Sequence, residues 1–246
     1  MSADFTEPCV ARAVVPAHER LIFAMDVPTV AAARELAGRL GDSVSFYKLG
    51  LELFMSGDAF GLLDELAGRG KKIFLDLKLF DVPATVAGAV RNLKGRGVTY
   101  ATVHGNQAIM EAAAGAADGF GILAVTVLTS LDRGDLDDLG FQCDVEALVL
   151  SRARRALAAG CAGVVSSGLE AKMLRAGVDD RLIVVTPGIR PVENRPADDQ
   201  KRVVSVADAF ANGADHIVVG RPIRDAADPR AAAESIQATI AGLFPR

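Results

Sequence analysis

Eight short apolar segments, each followed by a longer segment with apolar residues at three- and four-residue steps, recur along this chain of 246 residues. The short segments are typical of strands buried on both faces, and the longer segments are typical of amphipathic helices. Alternating strands and helices predict parallel strands joined by right-handed crossovers, and eight such units in about 250 residues predict a closed (β/α)8 barrel, an α/β fold. A doubly wound open sheet is the alternative fold.

We place the eight strands at residues 21–26, 44–50, 72–78, 98–104, 121–127, 162–166, 182–186 and 215–220. Residues 1–20 are predicted to form an N-terminal arm and residues 21–246 a single barrel domain that carries catalysis, because no change of composition or low-complexity linker divides the rest. In such barrels the chemistry takes place at the carboxyl ends of the strands.

Composition and charge argue against several classes of partner. The formal net charge is -4 at pH 7, and the basic residues are scattered, which favours neither nucleic acid nor a membrane surface as partner. Cys9, Cys143 and Cys161 are far apart in sequence and predict neither a zinc site nor a disulfide framework. No segment resembles a signal peptide or a membrane span, so we expect a soluble, cytoplasmic protein.

The third predicted strand carries two opposite charges within an apolar run. Asp76 and Lys78 are two residues apart, so on a strand their side chains share a face, and Asp81 follows the strand end. Two unit charges about 4 Å apart gain roughly 4 kcal/mol at an effective dielectric constant of about 20, which makes such a pair tolerable. The pair is either structural or part of a catalytic cluster with Lys48 of the second strand.

In the catalytic interpretation the flanking carboxylates favour the charged form of Lys78. We therefore expect an ammonium group that donates a proton, and not an amine that forms an imine with a carbonyl substrate.

Glycine and arginine follow the seventh and eighth strands. Gly188 with Arg190, and Gly220 with Arg221, could supply backbone amides and guanidinium groups at adjacent strand ends, where barrels often hold a phosphate. A glycine turn and a surface arginine at each place is the simpler alternative, but the two pairs together favour a phosphorylated substrate. The polar connection 191–201 is long for a barrel loop and is predicted to act as a lid.

Six motifs now identify a family. They are A-M-D at 24–26, Y-K-L-G-L-E-L-F at 47–54, F-L-D-L-K-L-F-D-V-P at 74–83, A-V-T-V-L-T-S at 124–130, V-T-P-G-I-R-P at 185–191 and V-G-R-P at 219–222. With these motifs the chain closely resembles the orotidine 5′-phosphate decarboxylase family, which catalyses the last step of UMP synthesis. The D-x-K-x-x-D core at 76–81 is specific to the superfamily, and the complete set is much more specific than any part.

The resemblance implies a charged tetrad and a homodimer. The tetrad would consist of Lys48, Asp76, Lys78 and Asp81, with Lys78 donating a proton to C6 of the pyrimidine as carbon dioxide leaves. In the family the last aspartate, here Asp81, and a nearby threonine, here Thr85, reach into the active site of the partner subunit.

The resemblance also implies the contacts of the substrate, orotidine 5′-monophosphate. Asp26 and Lys48 resemble the residues that hold the ribose hydroxyls, Asp76 would lie close to the substrate carboxylate, and Thr129 stands where the family contacts the ligand. The phosphate-binding set would consist of Arg190, Gln200, Gly220 and Arg221. No metal or organic cofactor is expected. The family often has histidine where this chain has Phe80, which leaves every charge of the tetrad in place.

Two rival functions remain open at this stage. Metal-dependent sugar-phosphate decarboxylases and hexulose-phosphate synthases also carry D-x-K-x-x-D, but they resemble each other in a glutamate at the second-strand position where this chain has Lys48. A catalytically silent barrel that binds nucleotides for regulation is the other rival, and the intact set of charges argues against it.

Overall fold

The computed structural model of the protein describes residues 15–190 and 203–245. Its eight strands form a closed barrel in the order β1 to β8, and β1 pairs in parallel with both β2 and β8. The strands are β1 Leu21–Ala24, β2 Phe46–Gly50, β3 Lys72–Leu79, β4 Val98–His104, β5 Gly121–Val125, β6 Gly163–Val165, β7 Ile183–Thr186 and β8 His216–Val219. The predicted (β/α)8 barrel is confirmed, and the open sheet is excluded because β1 and β8 close the ring.

Helices surround the barrel and connect its strands. Within the described residues they are α1 Val30–Leu40, α2 Leu51–Phe54, α3 Ala59–Gly68, α4 Pro83–Arg91, α5 Gln107–Ala116, α6 Arg133–Asp138, α7 Val145–Ala158, α8 Ala171–Gly177, α9 Val206–Ala211, α10 Arg221–Arg224 and α11 Pro229–Leu243. Several begin at a side chain that accepts a backbone N–H, as Thr29 does for α1 and Asp144 for α7. None of these helices is long and apolar enough to cross a membrane.

Two apolar layers hold the barrel together. The larger lies between strands and helices and includes Tyr47 and Leu75. The smaller fills the barrel interior and includes Phe46 and Phe74. Alternate residues of one strand therefore enter different layers, and each fully buried large side chain contributes about 1.5–3 kcal/mol.

The interior positions change from apolar to polar toward the carboxyl ends of the strands. In β2, Phe46 is followed two residues later by Lys48, and in β3, Phe74 is followed by Asp76. The two-residue period of a strand thus places both charged groups above the apolar interior, at the end of the barrel where the chemistry is expected.

The pairing of β3 with β4 contains a bulge. Leu75 pairs with Ala101 and Leu79 pairs with Val103, so three residues of β3, 76–78, lie opposite the single residue Thr102. Lys78 has a φ of 49°, and among the described residues it is the only one other than glycine with a positive φ. Bulges bend a strand and redirect a side chain, and this bulge carries the central charged residues of the sequence motif.

Part of the predicted N-terminal arm is described. Ala17–Glu19 forms a 3-10 helix, and its Glu19 carbonyl oxygen lies 2.9 Å from Nδ1 of His216 at the start of β8. Residues 1–14 lie outside the described part, so the division into an arm and a catalytic domain stays a prediction. The predicted lid at 191–201 also lies outside the described residues.

Candidate active site

Four side chains at the carboxyl ends of β1, β2 and β3 form an alternating chain of charges. Lys48 Nζ lies 2.8 Å from Asp26 Oδ1 and 3.6 Å from Asp76 Oδ2. Lys78 Nζ lies 2.8 Å from the same Asp76 oxygen. Asp76 is therefore shared by two ammonium groups.

Burial and charge act in opposite directions on Asp76. Its burial alone would raise the pKa of the carboxyl group, but the ammonium charges of Lys48 and Lys78 and the hydrogen bonds from Lys78 and Thr102 outweigh burial and lower the pKa. The carboxylate is thus ionised at neutral pH.

Lys48 shows the complementary balance. Burial alone would lower the pKa of its ammonium group, whereas the charges of Asp76 and Asp26 and the hydrogen bonds to both carboxylates raise it above the ordinary value. Lys48 is therefore a fixed cation at neutral pH, which stabilises Asp76 as an anion.

The Asp26–Lys48 pair requires a small residue at the end of β2. A β carbon added at Gly50 would lie 3.2 Å from both Asp26 Oδ1 and Lys48 Nζ. Such a contact is tighter than ordinary van der Waals packing, so a larger residue would require the two charged groups to shift by a few tenths of an ångström. The glycine of the K-L-G motif thus permits the close approach of the ion pair.

These charged groups open into a cavity of about 490 Å³ at the carboxyl end of the barrel. Its lining includes Asp76 and Lys78 of β3, and Gly188, Arg190 and Arg221 after β7 and β8, which lie across the barrel from β3 in the strand order. Gly188 has a φ of 78°, a conformation that favours glycine, so the turn after β7 depends on this residue. The cavity therefore places arginines and a carboxylate–ammonium cluster in one site, and the arginines suit an anionic group of a substrate.

Most of the sequence-predicted site residues line this one cavity. They are Asp26, Lys48, Asp76, Lys78, Thr129, Arg190, Gly220 and Arg221. Gln200 lies outside the described residues. Asp81 and Thr85 are exposed and do not line the cavity of the single chain, and the Asp81 carboxylate accepts the backbone N–H of Val82 at 2.6 Å.

Sequence reasoning missed three residues at the site. Glu52 and Arg224 also line the cavity, and Arg224 donates to the backbone oxygen of Asp26 at 2.6 Å. The third is Thr102, whose buried hydroxyl donates to Asp76 Oδ1 at 3.0 Å. Its position two residues before His104 at the end of β4 was a usable signal, since strand periodicity places it on the interior face.

Among residues 15–190 and 203–245, no group of three or more His, Cys, Asp or Glu side chains is arranged to hold a metal ion. The two free cysteines of that part, Cys143 and Cys161, form no such group. Burial raises the pKa of the Cys161 thiol to about 12, which makes it an unreactive core residue.

Fold and site together define a (β/α)8-barrel enzyme with a charged cavity at the carboxyl ends of its strands. Residues 19–236 match the sequence model of the orotidine 5'-phosphate decarboxylase / HUMPS family. The chain belongs to this family.

Individual relatives agree with this assignment. The chain is 68% identical over 230 residues to the orotidine 5'-phosphate decarboxylase of Methylococcus capsulatus, covering 94% of this chain and 95% of that protein. It is 53% identical to the enzyme of that name from Stenotrophomonas maltophilia, covering 94% and 98%. The crystal structure of orotidine 5'-phosphate decarboxylase from Lactobacillus acidophilus is similar with a TM-score of 0.80 and 33% identity, covering 90% of this chain and 99% of that one.

Proposed function

We propose that this protein decarboxylates orotidine 5′-monophosphate to uridine 5′-monophosphate, the last step of UMP synthesis, without a cofactor. Its family membership makes it a carbon–carbon lyase. The observation that carries the finer proposal is the ammonium group of Lys78, held 2.8 Å from Asp76 inside the cavity.

Lys78 acts as the proton donor. The bond between C6 of the pyrimidine and the carboxylate carbon breaks, its electron pair stays on C6, and carbon dioxide leaves. The ammonium group of Lys78 stabilises the negative charge that develops at C6 and transfers a proton to that carbon. The neutral amine then takes up a proton from the solvent, so each turnover consumes one proton and no other reactant.

Asp76 and Lys48 keep this donor in place. Asp76 accepts from Lys78 Nζ, and Lys48 compensates the negative charge of Asp76 from a Nζ–Oδ2 distance of 3.6 Å. A donor fixed before the reaction needs no reorganisation in the transition state, which is the main advantage of a protein site over water.

The opposite end of the cavity binds the phosphate group. Arg190, Gly220 and Arg221 would hold the phosphate oxygens, together with Gln200. Asp26 and Lys48 would hold the ribose hydroxyls, and Thr129 would contact the ligand between the two ends. Binding energy from the phosphate, remote from C6, can then be used to orient the pyrimidine.

A second copy of the chain would complete the site. Asp81 and Thr85 are exposed in the single chain, next to Phe80 and Val82, whose side chains are 64% and 63% exposed. Exposed apolar side chains that lie close together often mark a protein–protein interface. We therefore include a homodimer, in which Asp81 and Thr85 of each chain enter the partner's cavity, in the proposal.

The donor set supports cofactor independence. A divalent cation at Asp76 would have to approach two ammonium groups within 3.6 Å of the same carboxylate oxygen, and like charges repel strongly in a partly buried site. This argues against a metal-dependent activity on a sugar phosphate. A cytoplasmic location is proposed with the function.

The test is the loss of ultraviolet absorbance from orotidine 5′-monophosphate on mixing with the purified protein. We expect turnover at the same rate with and without an excess of chelator. Loss of activity with chelator, restored by magnesium, would favour the metal-dependent activity. Binding of the nucleotide without turnover would favour a regulatory barrel.

A further inference from the structure

Thr102 is the single residue of β4 that lies opposite the bulge of β3. Its side chain is buried, at 1% exposure, and it lies on the interior face of the barrel next to the charged cluster. It is not among the residues that line the cavity. Thr102 therefore contacts the charged cluster without lining the cavity.

We propose that Thr102 is a positioning residue for the decarboxylation, because its hydroxyl holds the backbone of Lys78 and the carboxylate of Asp76 in one fixed geometry. The proposal rests on the proposed function. Nothing in the sequence motif D-x-K-x-x-D includes this residue, because it belongs to the next strand.

One hydroxyl group makes both contacts. It accepts the backbone N–H of Lys78 at 2.9 Å and donates its own hydrogen to Asp76 Oδ1 at 3.0 Å. The other oxygen of Asp76 accepts from Lys78 Nζ at 2.8 Å. Backbone, hydroxyl, carboxylate and ammonium thus form a closed ring of hydrogen bonds, so that the ammonium cannot move independently of the strand.

The ring replaces pairing that the bulge removes. Residues 76–78 face one residue of β4, so the regular ladder cannot satisfy every backbone group in this stretch. The φ of 49° at Lys78 is a conformation that residues other than glycine rarely adopt, and it persists only where the surroundings hold it. The Thr102 hydroxyl is the neighbouring group that accepts the N–H of this residue.

Position 102 requires a hydroxyl group, because the side chain there must accept the backbone N–H of Lys78 and donate to the Asp76 carboxylate at the same time. Valine has the same shape but neither capacity, so it would leave a backbone N–H and a carboxylate oxygen of a buried site unpaired. Serine keeps both capacities and loses only a methyl group. These two substitutions therefore separate the hydrogen bonds from the packing.

The first experiment compares Thr102→Val with Thr102→Ser in the decarboxylation assay. For Thr102→Val we expect kcat to fall about 10- to 100-fold, the effect of losing a hydrogen bond to a charged group, with KM nearly unchanged since Thr102 does not line the cavity. Thr102→Ser should recover most of kcat. A valine variant with the kcat of the parent, or a serine variant as slow as the valine variant, would overturn the proposal.

Thr186→Val is the matched control. Thr186 is equally buried at the end of β7, and within the described part of the chain its hydroxyl has no hydrogen-bond partner. The same substitution there should leave kcat close to that of the parent. An equal loss of kcat in this control would show that any buried threonine in the barrel gives the effect and would overturn the specific role.

Two further readouts follow the hydrogen bonds of Thr102 directly, and the first of them, the pH profile, would not respond to a purely structural role. Thr102→Val removes a hydrogen bond that lowers the pKa of Asp76, so the acid limb of the pH profile of kcat, which reports the enzyme–substrate complex, should move to higher pH. The amide hydrogen of Lys78 should exchange faster with solvent than in the parent. An unchanged acid limb together with unchanged exchange would contradict the proposal.

The exchange measurement also separates the two hypotheses. If the parent does not decarboxylate the nucleotide, the proposed function fails, whereas exchange at Lys78 still decides whether Thr102 fixes this residue. Should Thr102→Val fail to fold, Thr102→Ala is the second variant, with the same expected changes in kcat and in exchange.

Discussion

Lys78 Nζ lies 2.8 Å from Asp76 Oδ2, although the two residues belong to a stretch of β3 that leaves the regular ladder. In a regular strand they would share a face through alternation alone. Here the bulge and the positive φ of Lys78 direct the ammonium group, and Asp76 is held in turn by Lys48. The central ion pair of the site is thus built by an irregularity of the strand.

Lys78→Ala should lower kcat at least about 10³-fold, because the substitution removes both the proton donor and the charge that stabilises the carbanion. Binding of uridine 5′-monophosphate, measured by calorimetry, should remain detectable, since the arginine end of the cavity is intact. Lys172→Ala, which removes an exposed lysine of α8, is the matched control and should keep the parent activity. A kcat for Lys78→Ala within tenfold of the parent would refute the assignment.

Arg221→Ala should lower kcat/KM about 10- to 100-fold, the typical effect of losing a hydrogen bond to a charged group. The loss should be confined to the phosphorylated substrate, so the parent and the variant should react equally slowly with orotidine. Arg39→Ala, on the exposed face of α1, controls for the loss of positive charge. Equal losses on both substrates would mean that Arg221 does not recognise phosphate.

Mixing two inactive variants should restore activity if the site is shared across a dimer. Lys78→Ala and Asp81→Ala should each be nearly inactive alone. In a symmetric dimer formed from one chain of each kind, one site contains both substitutions and the other contains neither, so random exchange should restore about a quarter of the parent activity. Activity that stays at the level of the separate variants after denaturation and refolding together would contradict sharing.

His216 should make the protein less stable in mild acid. Burial lowers the pKa of its imidazole, and the opposing contact with the Glu19 carbonyl does not compensate. The unfolded chain therefore binds a proton near the ordinary pKa of about 6.5 while the folded protein does not, so stability falls as the pH falls below that value.

The corresponding measurement is the free energy of unfolding by urea between pH 8 and 5. The histidine contributes a slope of up to about 1.4 kcal/mol per pH unit. His216→Asn keeps a donor for the Glu19 carbonyl but cannot titrate, so its slope should be smaller than that of the parent. Identical slopes would show that another group governs the acid limb.

The pattern of apolar and polar residues along the sequence was sufficient to predict the barrel and the strand ends at which most site residues lie. All eight strands were predicted, because each apolar run is bounded by turn residues and its period matches burial on two faces. The bounds of β1, β2 and β5 each differ by two residues at one end: β1 ends at Ala24, β2 begins at Phe46 and β5 ends at Val125. Met25 still donates to the Lys48 carbonyl at 2.9 Å, so the chain departs gradually from the ladder.

Charges on neighbouring strands could be predicted to share one site, because the carboxyl ends of barrel strands lie together, but the distances between them could not. The sequence does not state that Lys48 lies within 3.6 Å of Asp76; this depends on the register that pairs Gly50 with Asp76 across β2 and β3. Likewise Thr102 carries no local motif, and its role arises from the bulge that faces it.

By itself the sequence determined the order of strands and helices, the barrel, and the ends of strands at which charged and glycine-rich segments gather, because these follow from residue periodicity along one segment. Only the tertiary structure decided the register between neighbouring strands, the left-handed backbone at Lys78 and the hydroxyl that supports it. The physical reason is that hydrogen-bond partners across a barrel depend on how side chains from several segments pack together, so they cannot be inferred from any one segment.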